Sequence, residues 1–143
     1  MLREDRINFG VHVPPEGRDF KTMRELCQTA EKLGYDLFTV TDHFMNMANP
    51  GGHENHPLEC WTILSGLAAS TGRIALGPLV SCVNYRHPTV LAKMATTVDI
   101  VSGGRLIFGI GAGWREAEFL RDQDRCRNAS TIGPIGRGDQ GSG

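Results

Sequence analysis

The chain has little net charge and no long apolar run. Its 15 Lys and Arg residues nearly balance 16 Asp and Glu residues, which leaves a formal net charge of -1. Such a balance gives no field that would recruit nucleic acid or an anionic membrane surface, so we expect neither as a partner. The first residues pass from charged side chains directly into a strand pattern, without the apolar core of a signal peptide or a membrane span. We therefore expect a cytoplasmic protein.

Spacings typical of metal sites and disulfide frameworks are also missing. The four cysteines lie far apart and form no CxxC pair: Cys27, Cys60, Cys82 and Cys126. We interpret them as reduced thiols that pack as small apolar residues, in preference to disulfides. The segment from His53 to His56 is not an HExxH motif, and it lies in a loop without an evident third ligand. No metal site is predicted.

What the sequence does contain is a regular alternation of strand and helix patterns. Four strand-like runs begin near Ile7, Leu37, Ile74 and Leu106, and each is followed by a helical stretch or a glycine turn. This rhythm is typical of parallel βα units, whose chemistry gathers at the carboxyl ends of the strands. With 40% apolar and 22% charged residues, the chain has an ordinary globular composition. The prediction is an α/β protein with four such units.

Three helices are predicted between the runs. Asp19 can cap the first and Gly34 can end it, the second extends from Pro57 to Ser70, and the third begins at Pro88. Two apolar stripes should face inward, one in the first helix (Met23, Leu26, Cys27, Ala30, Leu33) and one in the third (Leu91, Met94, Ala95, Val98, Val101). The first run should bury the face that contains Ile7, Phe9, Val11 and Val13.

The pair Asp42-His43 directly follows the second run. It should therefore lie at the carboxyl end of a strand, and the irregular segment from Met45 to Pro57 should form a loop above it. Taken by itself, an Asp-His dipeptide is more often a turn cap followed by a polar loop residue. The pair becomes a candidate site only in its wider context.

After about Phe119 the strand and helix rhythm ends. Residues 120–143 are rich in glycine, poor in apolar residues and without periodicity. We interpret residues 1–119 as one domain and residues 120–143 as a disordered or out-of-frame tail.

Several motifs in one order make the chain resemble the luciferase-like monooxygenases, in particular the branch that uses the deazaflavin coenzyme F420. The resemblance covers about residues 7 to 119. The matching segments are Thr41-Asp42-His43-Phe44, Pro57 to Trp61, Gly77 to Cys82, Tyr85-Arg86-His87-Pro88, Ser102 to Arg105 and Gly109 to Trp114. The family folds as a (β/α)8 TIM barrel with the cofactor at the carboxyl ends of its strands. This chain resembles the first four units, a truncated half-barrel.

The resemblance also implies roles for individual residues. His43 is similar to the histidine near the reactive ring carbon, and an imidazole can exchange protons near neutrality. Asp42 resembles a residue that hydrogen-bonds the ring system or an ordered partner. The Leu79-Val80 bond matches the position of a non-prolyl cis peptide that, with Ser81, forms a bulge under the ring.

The glycine-rich turn after the fourth run is expected to complete the cofactor site through Gly111, Ala112 and Trp114. The glycines could let a cofactor approach the backbone, or they could relieve crowding between strands, and both interpretations stay open. Trp114 stands where the sugar-phosphate dehydrogenases of the family carry a catalytic glutamate, which leaves Glu116 as a substitute acid.

The resemblance implies hydride transfer between coenzyme F420 and a small organic substrate. One alternative is an FMN-dependent monooxygenase of the same superfamily, and another is a fragment without catalysis. Four open units would expose strand edges, so we expect self-association, such as a homodimer, through these edges. We also expect weak or absent cofactor binding by this chain alone, because the phosphate site of such barrels often lies in the second half.

Overall fold

Short parallel strands alternate with helices along the chain. The computed structural model describes residue 2 and residues 4–46, 57–115 and 118. Within these residues the elements are β1 (Gly10–His12), α1 (Phe20–Leu33), β2 (Leu37–Val40), α2 (Cys60–Ser70), β3 (Ala75–Pro78), β4 (Ser81–Cys82), α3 (Pro88–Ser102) and β5 (Ile110–Gly111). The predicted α/β class is confirmed.

The strands pair in the order of the sequence. β1 pairs with β2 and β2 with β3, all parallel, and β4 pairs with β5 in a second parallel sheet. A single bridge between Leu76 and Leu106 joins β3 to the fourth run. Every carboxyl end therefore points to the same edge, as parallel βα units require.

The third and fourth predicted runs are broken in the structure. A non-prolyl cis peptide bond between Leu79 and Val80 separates β3 from β4, which confirms the cis bond implied by the resemblance. In the fourth run, Leu106 makes only the bridge, and regular pairing begins at Ile110. An irregularity in the third run was expected from Gly77 and Pro78, and the break between β3 and β4 confirms it. The fourth run was expected to be one strand from Leu106 to Ile110, which was wrong, because its regular pairing begins only at Ile110, opposite β4.

The first run was also predicted too long. β1 covers three residues, and Ile7 and Phe9 are 76% and 63% exposed. Of the described elements, only β2 pairs with β1, on one side. Ile7 and Phe9 are therefore left uncovered by the described elements, whereas Val13 is buried in the core and Val11 packs against it, so the predicted buried face is confirmed only at its carboxyl end.

Helix boundaries follow from capping. The Asp19 carboxylate accepts a hydrogen bond from the Thr22 N–H at 2.7 Å, and Gly34 ends α1 in the left-handed conformation with φ of 91°. Both features confirm the predicted start and stop. α2 begins at Cys60, later than predicted, because the Glu59 carboxylate caps it by accepting from the Trp61 and Thr62 N–H groups.

The inward stripes of α1 and α3 are narrower than predicted. Met23, Cys27 and Ala30 are buried, but Leu26 and Leu33 are exposed on α1. On α3, Val101 is exposed in the same way. Leu33 and Val101 lie in the last turns of their helices, whereas Leu26 lies in the middle of α1 beside the buried Cys27, so the buried stripe of α1 consists of Met23, Cys27 and Ala30.

The core lies between the first sheet and the three helices. α2 is buried along most of its surface and supplies Trp61, Leu64 and Leu67 to this core. Cys27 and Cys60, together with Cys82, are free and buried, which confirms the reduced state for the described cysteines. Burial raises the pKa of the Cys27 thiol to about 12, so this thiol stays protonated.

None of the helices in the described part of the chain is long and apolar enough to cross a membrane. Residues 47–56, which include His53 and His56, and the predicted tail at 120–143 lie outside the described residues. The prediction about metal ligands and the domain boundary at 119 therefore stay predictions.

Candidate active site

A small cavity lies at the carboxyl ends of the strands. It has a volume of about 150 Å³. Its described lining comes from the segments after β2, around the cis bond, and after β4 and β5, and consists of Asp42, His43, Leu79, Val80, Cys82, Tyr85, Gly113, Trp114 and Glu118. Four separate segments of the chain thus converge on one point.

The Asp42 carboxylate joins the end of β2 to the chain after the cis bond. One oxygen accepts hydrogen bonds from the Ser81 hydroxyl at 3.0 Å and the Cys82 N–H at 3.1 Å. Both oxygens accept from the Arg86 guanidinium, at 2.6 and 2.9 Å. Because this side chain is fully buried, these bonds replace the water that an ionised carboxylate requires.

Arg86 also binds a second carboxylate, that of Glu59 at the start of α2. Burial alone would raise the pKa of Glu59, but hydrogen bonds from Thr62 and Arg86 hold it below the usual value. The structure thus places two carboxylates of the same chain beside Arg86. Arg86 therefore holds the Asp42 carboxylate, which lines the cavity, beside the start of α2.

His43 has a carboxylate partner from the far end of the described chain. Its Nδ1 lies 2.8 Å from Oε2 of Glu118. The Glu118 side chain is 1% exposed and that of His43 is 18% exposed. Of the described residues, none hydrogen-bonds the other ring nitrogen, Nε2. The imidazole is thus held on one side and open on the other.

The Glu118 carboxylate accepts three further hydrogen bonds. Oε1 accepts from the backbone N–H groups of Phe44 and Met45, both at 3.2 Å, and Oε2 accepts from the Tyr85 hydroxyl at 2.5 Å. Burial alone would raise the pKa of Glu118, but the hydrogen bonds from Tyr85 and His43 hold it below its usual value. The carboxylate is therefore ionised at neutral pH.

The remaining wall of the cavity is apolar and open. Leu79 and Val80 are 55% and 41% exposed, and Trp114 is 73% exposed. The Trp114 ring meets the His43 ring edge-on, with the centroids 6.3 Å apart. Apolar and aromatic surface of this kind suits a flat, largely apolar ligand group.

The glycines of the fourth run make room for Val80. A Cβ atom at Gly111 would lie 2.6 Å from Cγ2 of Val80, and one at Gly109 would lie 2.7 Å from the Pro78 carbonyl oxygen. Real side chains do not approach so closely. Of the two interpretations left open by the sequence, relief of crowding between strands is the one that these contacts support.

A model of the luciferase-like monooxygenase family matches residues 7–129, most of the chain. The chain belongs to the luciferase-like monooxygenase family.

The relatives include enzymes of two kinds. The chain is 32% identical over 100 residues to the pyrimidine monooxygenase RutA of Bradyrhizobium sp. strain BTAi1, covering 70% of the chain and 28% of that protein. The structure of the coenzyme F420 dependent tetrahydromethanopterin reductase of Methanopyrus kandleri matches with a TM-score of 0.67 and 28% identity, over 82% of this chain and 30% of that one. The homologues of this luciferase-like chain are thus oxidoreductases and monooxygenases.

A second structure shares the fold. The oxygenating constituent of 3,6-diketocamphane monooxygenase from Pseudomonas putida, in complex with FMN, matches with a TM-score of 0.64 and 20% identity, over 80% of this chain and 32% of that one. The chain spans about three tenths of the length of all three relatives.

The structure brings together part of the predicted luciferase-like site. Asp42, His43, Leu79, Val80 and Trp114 all line the cavity. The described lining does not include the other three predicted cofactor contacts, Ser81, Gly111 and Ala112. Their cofactor roles stay predictions.

These three residues have other contacts. The Ser81 hydroxyl accepts from Nε1 of Trp61 at 3.1 Å and donates to Asp42. The Ala112 carbonyl accepts from the Asn84 side chain, and Gly111 lies in β5 against Val80. Glu116, the predicted acid, lies outside the described residues.

Sequence reasoning missed Glu118 and Tyr85. Glu118 is the acid that the structure places beside His43, whereas the sequence argument had chosen Glu116. Nothing local separates the two glutamates, because they follow the same glycine turn. Tyr85 was noticed only as part of a motif, although its phenolic O–H is a hydrogen-bond donor that a carboxylate can accept.

The depressed pKa of Glu118 predicts an acid-sensitive site. A carboxylate whose pKa is lower in the folded than in the unfolded chain stabilises the fold above its ordinary value of 4.5, and this contribution disappears as the pH falls through the folded value. Chemical unfolding followed by circular dichroism should therefore show a free energy of unfolding that decreases as the pH is lowered below the ordinary pKa of 4.5.

Two variants test this assignment. Glu118→Gln should reduce the change in unfolding free energy over that pH range, because the amide does not titrate. Glu25→Gln changes an exposed glutamate on α1 and should leave the change as it is. An identical pH dependence in Glu118→Gln and the unmodified chain would contradict the assignment.

Proposed function

We propose that this chain carries the part of a luciferase-like oxidoreductase that contacts the ring of the cofactor, with hydride transfer between coenzyme F420 and a small organic substrate as the reaction. The observation that carries the proposal is the convergence of His43, the Leu79-Val80 cis bond and Trp114 on one cavity. The family resemblance implies cofactor or catalytic roles for these same residues.

The residues present fit one face of a flat heterocycle. Leu79 and Val80 offer apolar surface beside the cavity, and the exposed Trp114 ring lies at its rim. When bound, the deazaflavin supplies the hydride chemistry, and the protein supplies binding and orientation. His43 would then hold or move a proton at Nε2, within reach of a substrate oxygen.

The fit covers only part of the cofactor. Ligand pockets usually measure about 300 to 1,000 Å³, well above the volume of this cavity. A ring system would therefore lie against the described residues, not be enclosed by them. We propose that the chain corresponds to the first four units of a (β/α)8 barrel and that its own affinity for the cofactor is weaker than micromolar.

FMN is the second candidate cofactor, with oxygen activation as the reaction. It is supported by the similarity to a protein named pyrimidine monooxygenase and by the fold shared with an FMN complex. An apolar wall beside an imidazole suits either ring, so the described site does not separate the two.

Exposed apolar surface supports self-association as part of the proposal. Ile7 and Phe9 lie beside β1, and Phe108 and Ile110 lie on the fourth run at the other edge, all of them exposed. Open strand edges with apolar side chains pair readily with other chains. We therefore expect a homodimer or larger assemblies through these edges, which sedimentation at several concentrations would reveal.

Cofactor binding can be tested residue by residue. We would titrate the isotopically labelled chain with F420 and, separately, with FMN up to millimolar concentration and record NMR spectra. The expected result is weak binding that prefers F420 and that shifts the signals of His43, Val80 and Trp114. The variant Trp114→Ala should weaken binding several-fold, because it removes the most exposed aromatic surface of the site.

A histidine at another place provides the control. His87→Asn changes the residue that caps α3, and asparagine also caps helices, so the affinity should not change. A preference for FMN would replace the first candidate with the second. NMR shift changes spread over the whole surface, or no change at His43 and Val80, would contradict the proposal. Micromolar affinity would contradict the inference that the chain forms only part of the cofactor site.

A further inference from the structure

The Glu118 carboxylate divides four hydrogen bonds between its two oxygens. Oε1 accepts from the Phe44 and Met45 N–H groups, while Oε2 contacts Nδ1 of His43 and the Tyr85 hydroxyl. Backbone N–H groups can only donate. Oε1 therefore fixes the backbone just after His43, and Oε2 binds the His43 ring and the Tyr85 hydroxyl.

The proton between Glu118 and His43 can be assigned by counting donors. An ionised carboxylate has no proton to give, so any hydrogen bond to it must use a proton of the partner. Burial raises the pKa of the Tyr85 hydroxyl, and the adjacent Glu118 carboxylate raises it further, so Tyr85 keeps its proton and donates it. The bond from His43 then requires a proton on Nδ1.

We propose that Glu118 is a positioning residue that holds neutral His43 in the Nδ1–H tautomer and so leaves Nε2 with a free lone pair at the cavity. The carboxylate restricts both the ring and its backbone, since it binds Nδ1 and the next two N–H groups. A histidine whose Nδ1–H is held by a carboxylate presents Nε2 as the proton acceptor.

The catalytic meaning of this inference rests on the proposed function, whereas the tautomer does not. With Nε2 unprotonated, His43 would be set to accept the proton of a substrate hydroxyl, while the hydride from the adjacent substrate carbon would pass to the cofactor of the proposed function. In the reverse direction the protonated ring returns that proton. Glu118 itself contacts no substrate in this scheme, and it acts only through His43.

The tautomer can be measured directly in the full chain. Nitrogen-15 spectra of imidazoles distinguish a protonated ring nitrogen from one with a lone pair, at a pH where the ring is neutral. We expect the unmodified chain to show His43 with a proton on Nδ1 and a lone pair on Nε2. The signals are assigned by their loss in His43→Asn. Glu118→Gln should produce a mixture of both tautomers, because the amide can donate as well as accept.

Tyr85→Phe is the matched control. It removes the other hydrogen bond to Oε2 but leaves Nδ1 of His43 with its acceptor, so the Nδ1–H tautomer should persist. The His12 signals provide an internal reference, since its Nδ1 bonds Thr39 elsewhere in the fold. An Nε2–H tautomer in the unmodified chain would overturn the inference even if Glu118→Gln failed to fold. So would an unchanged tautomer in a folded Glu118→Gln chain.

The same samples separate this inference from the proposed function. A chain with the expected tautomer that binds neither F420 nor FMN would support the role of Glu118 and refute the proposed function. A chain that binds F420 at His43 but carries the proton on Nε2 would refute only the inference about Glu118.

Discussion

Replacing Gly77 by alanine should destabilise the chain by about 3 kcal/mol or more, at the severe end of overpacking. Gly77 lies in β3, one residue before the Pro78 that precedes the cis bond, and it is buried. A Cβ atom here would fall far inside van der Waals contact with the Ile107 carbonyl oxygen. Because that atom belongs to the backbone, the new methyl group can be accommodated only if the two strands separate.

The measurement is urea unfolding followed by circular dichroism, with Gly72→Ala as the control. A Cβ atom at Gly72 would meet nothing within 4 Å, so this variant should differ by less than about 0.5 kcal/mol. Equal stability of the two variants would show that the strands around Gly77 are not packed as described. The bend with Leu79 and Val80 follows directly in the chain. The NMR spectrum of Gly77→Ala should therefore also show shifted signals from both residues.

Arg105→Met is expected to have the second large effect, a loss of about 3 to 5 kcal/mol of unfolding free energy. Arg105 is buried, and its guanidinium donates to the carbonyl oxygens of Ala68, Thr71 and Ile74 at 2.8 to 3.0 Å. Two of these carbonyls belong to the end of α2, which stops at Thr71 in an extended conformation without a left-handed glycine. Arg105 therefore provides the C-terminal cap of this helix from a distant segment.

Methionine fills a similar volume but donates nothing, so several buried carbonyls would lose their partner at once. Arg73→Met is the appropriate comparison, because Arg73 also donates to two backbone carbonyls but is exposed, and water can replace it. We expect that variant to lose less than about 1 kcal/mol in the same urea experiment. A loss of similar size in both variants would mean that the burial of Arg105 contributes little.

Much of the fold could be predicted because its signals are local. Asp19 and Gly34 enclose α1 as expected, since an N-cap and a left-handed C-cap depend on the residues at the helix ends. The position of His43 at the end of β2 followed from a short apolar run. The burial of Ile7 and Phe9 could not be judged in this way, because an alternating pattern does not reveal whether any neighbour covers the face.

The site was harder to predict than the fold because its contacts are distant in sequence. Whether Gly111 serves a ligand or a neighbouring strand is decided by Val80, about thirty residues away. Glu118 and Glu116 are alike in sequence, and it is the contact in the folded chain that identifies Glu118 as a partner of His43. Family resemblance located the correct strand ends, but it did not identify this carboxylate.

The bond between His43 and Glu118 spans 75 positions of sequence. A ribosome makes the chain from its amino terminus, so His43 leaves the exit tunnel well before its partner has been synthesised. Until then the imidazole and the N–H groups of Phe44 and Met45 cannot form their hydrogen bonds to Glu118. The helices and the first strands can form during translation. The hydrogen bonds between Glu118 and residues 43–45 can form only after residue 118 has emerged from the ribosome.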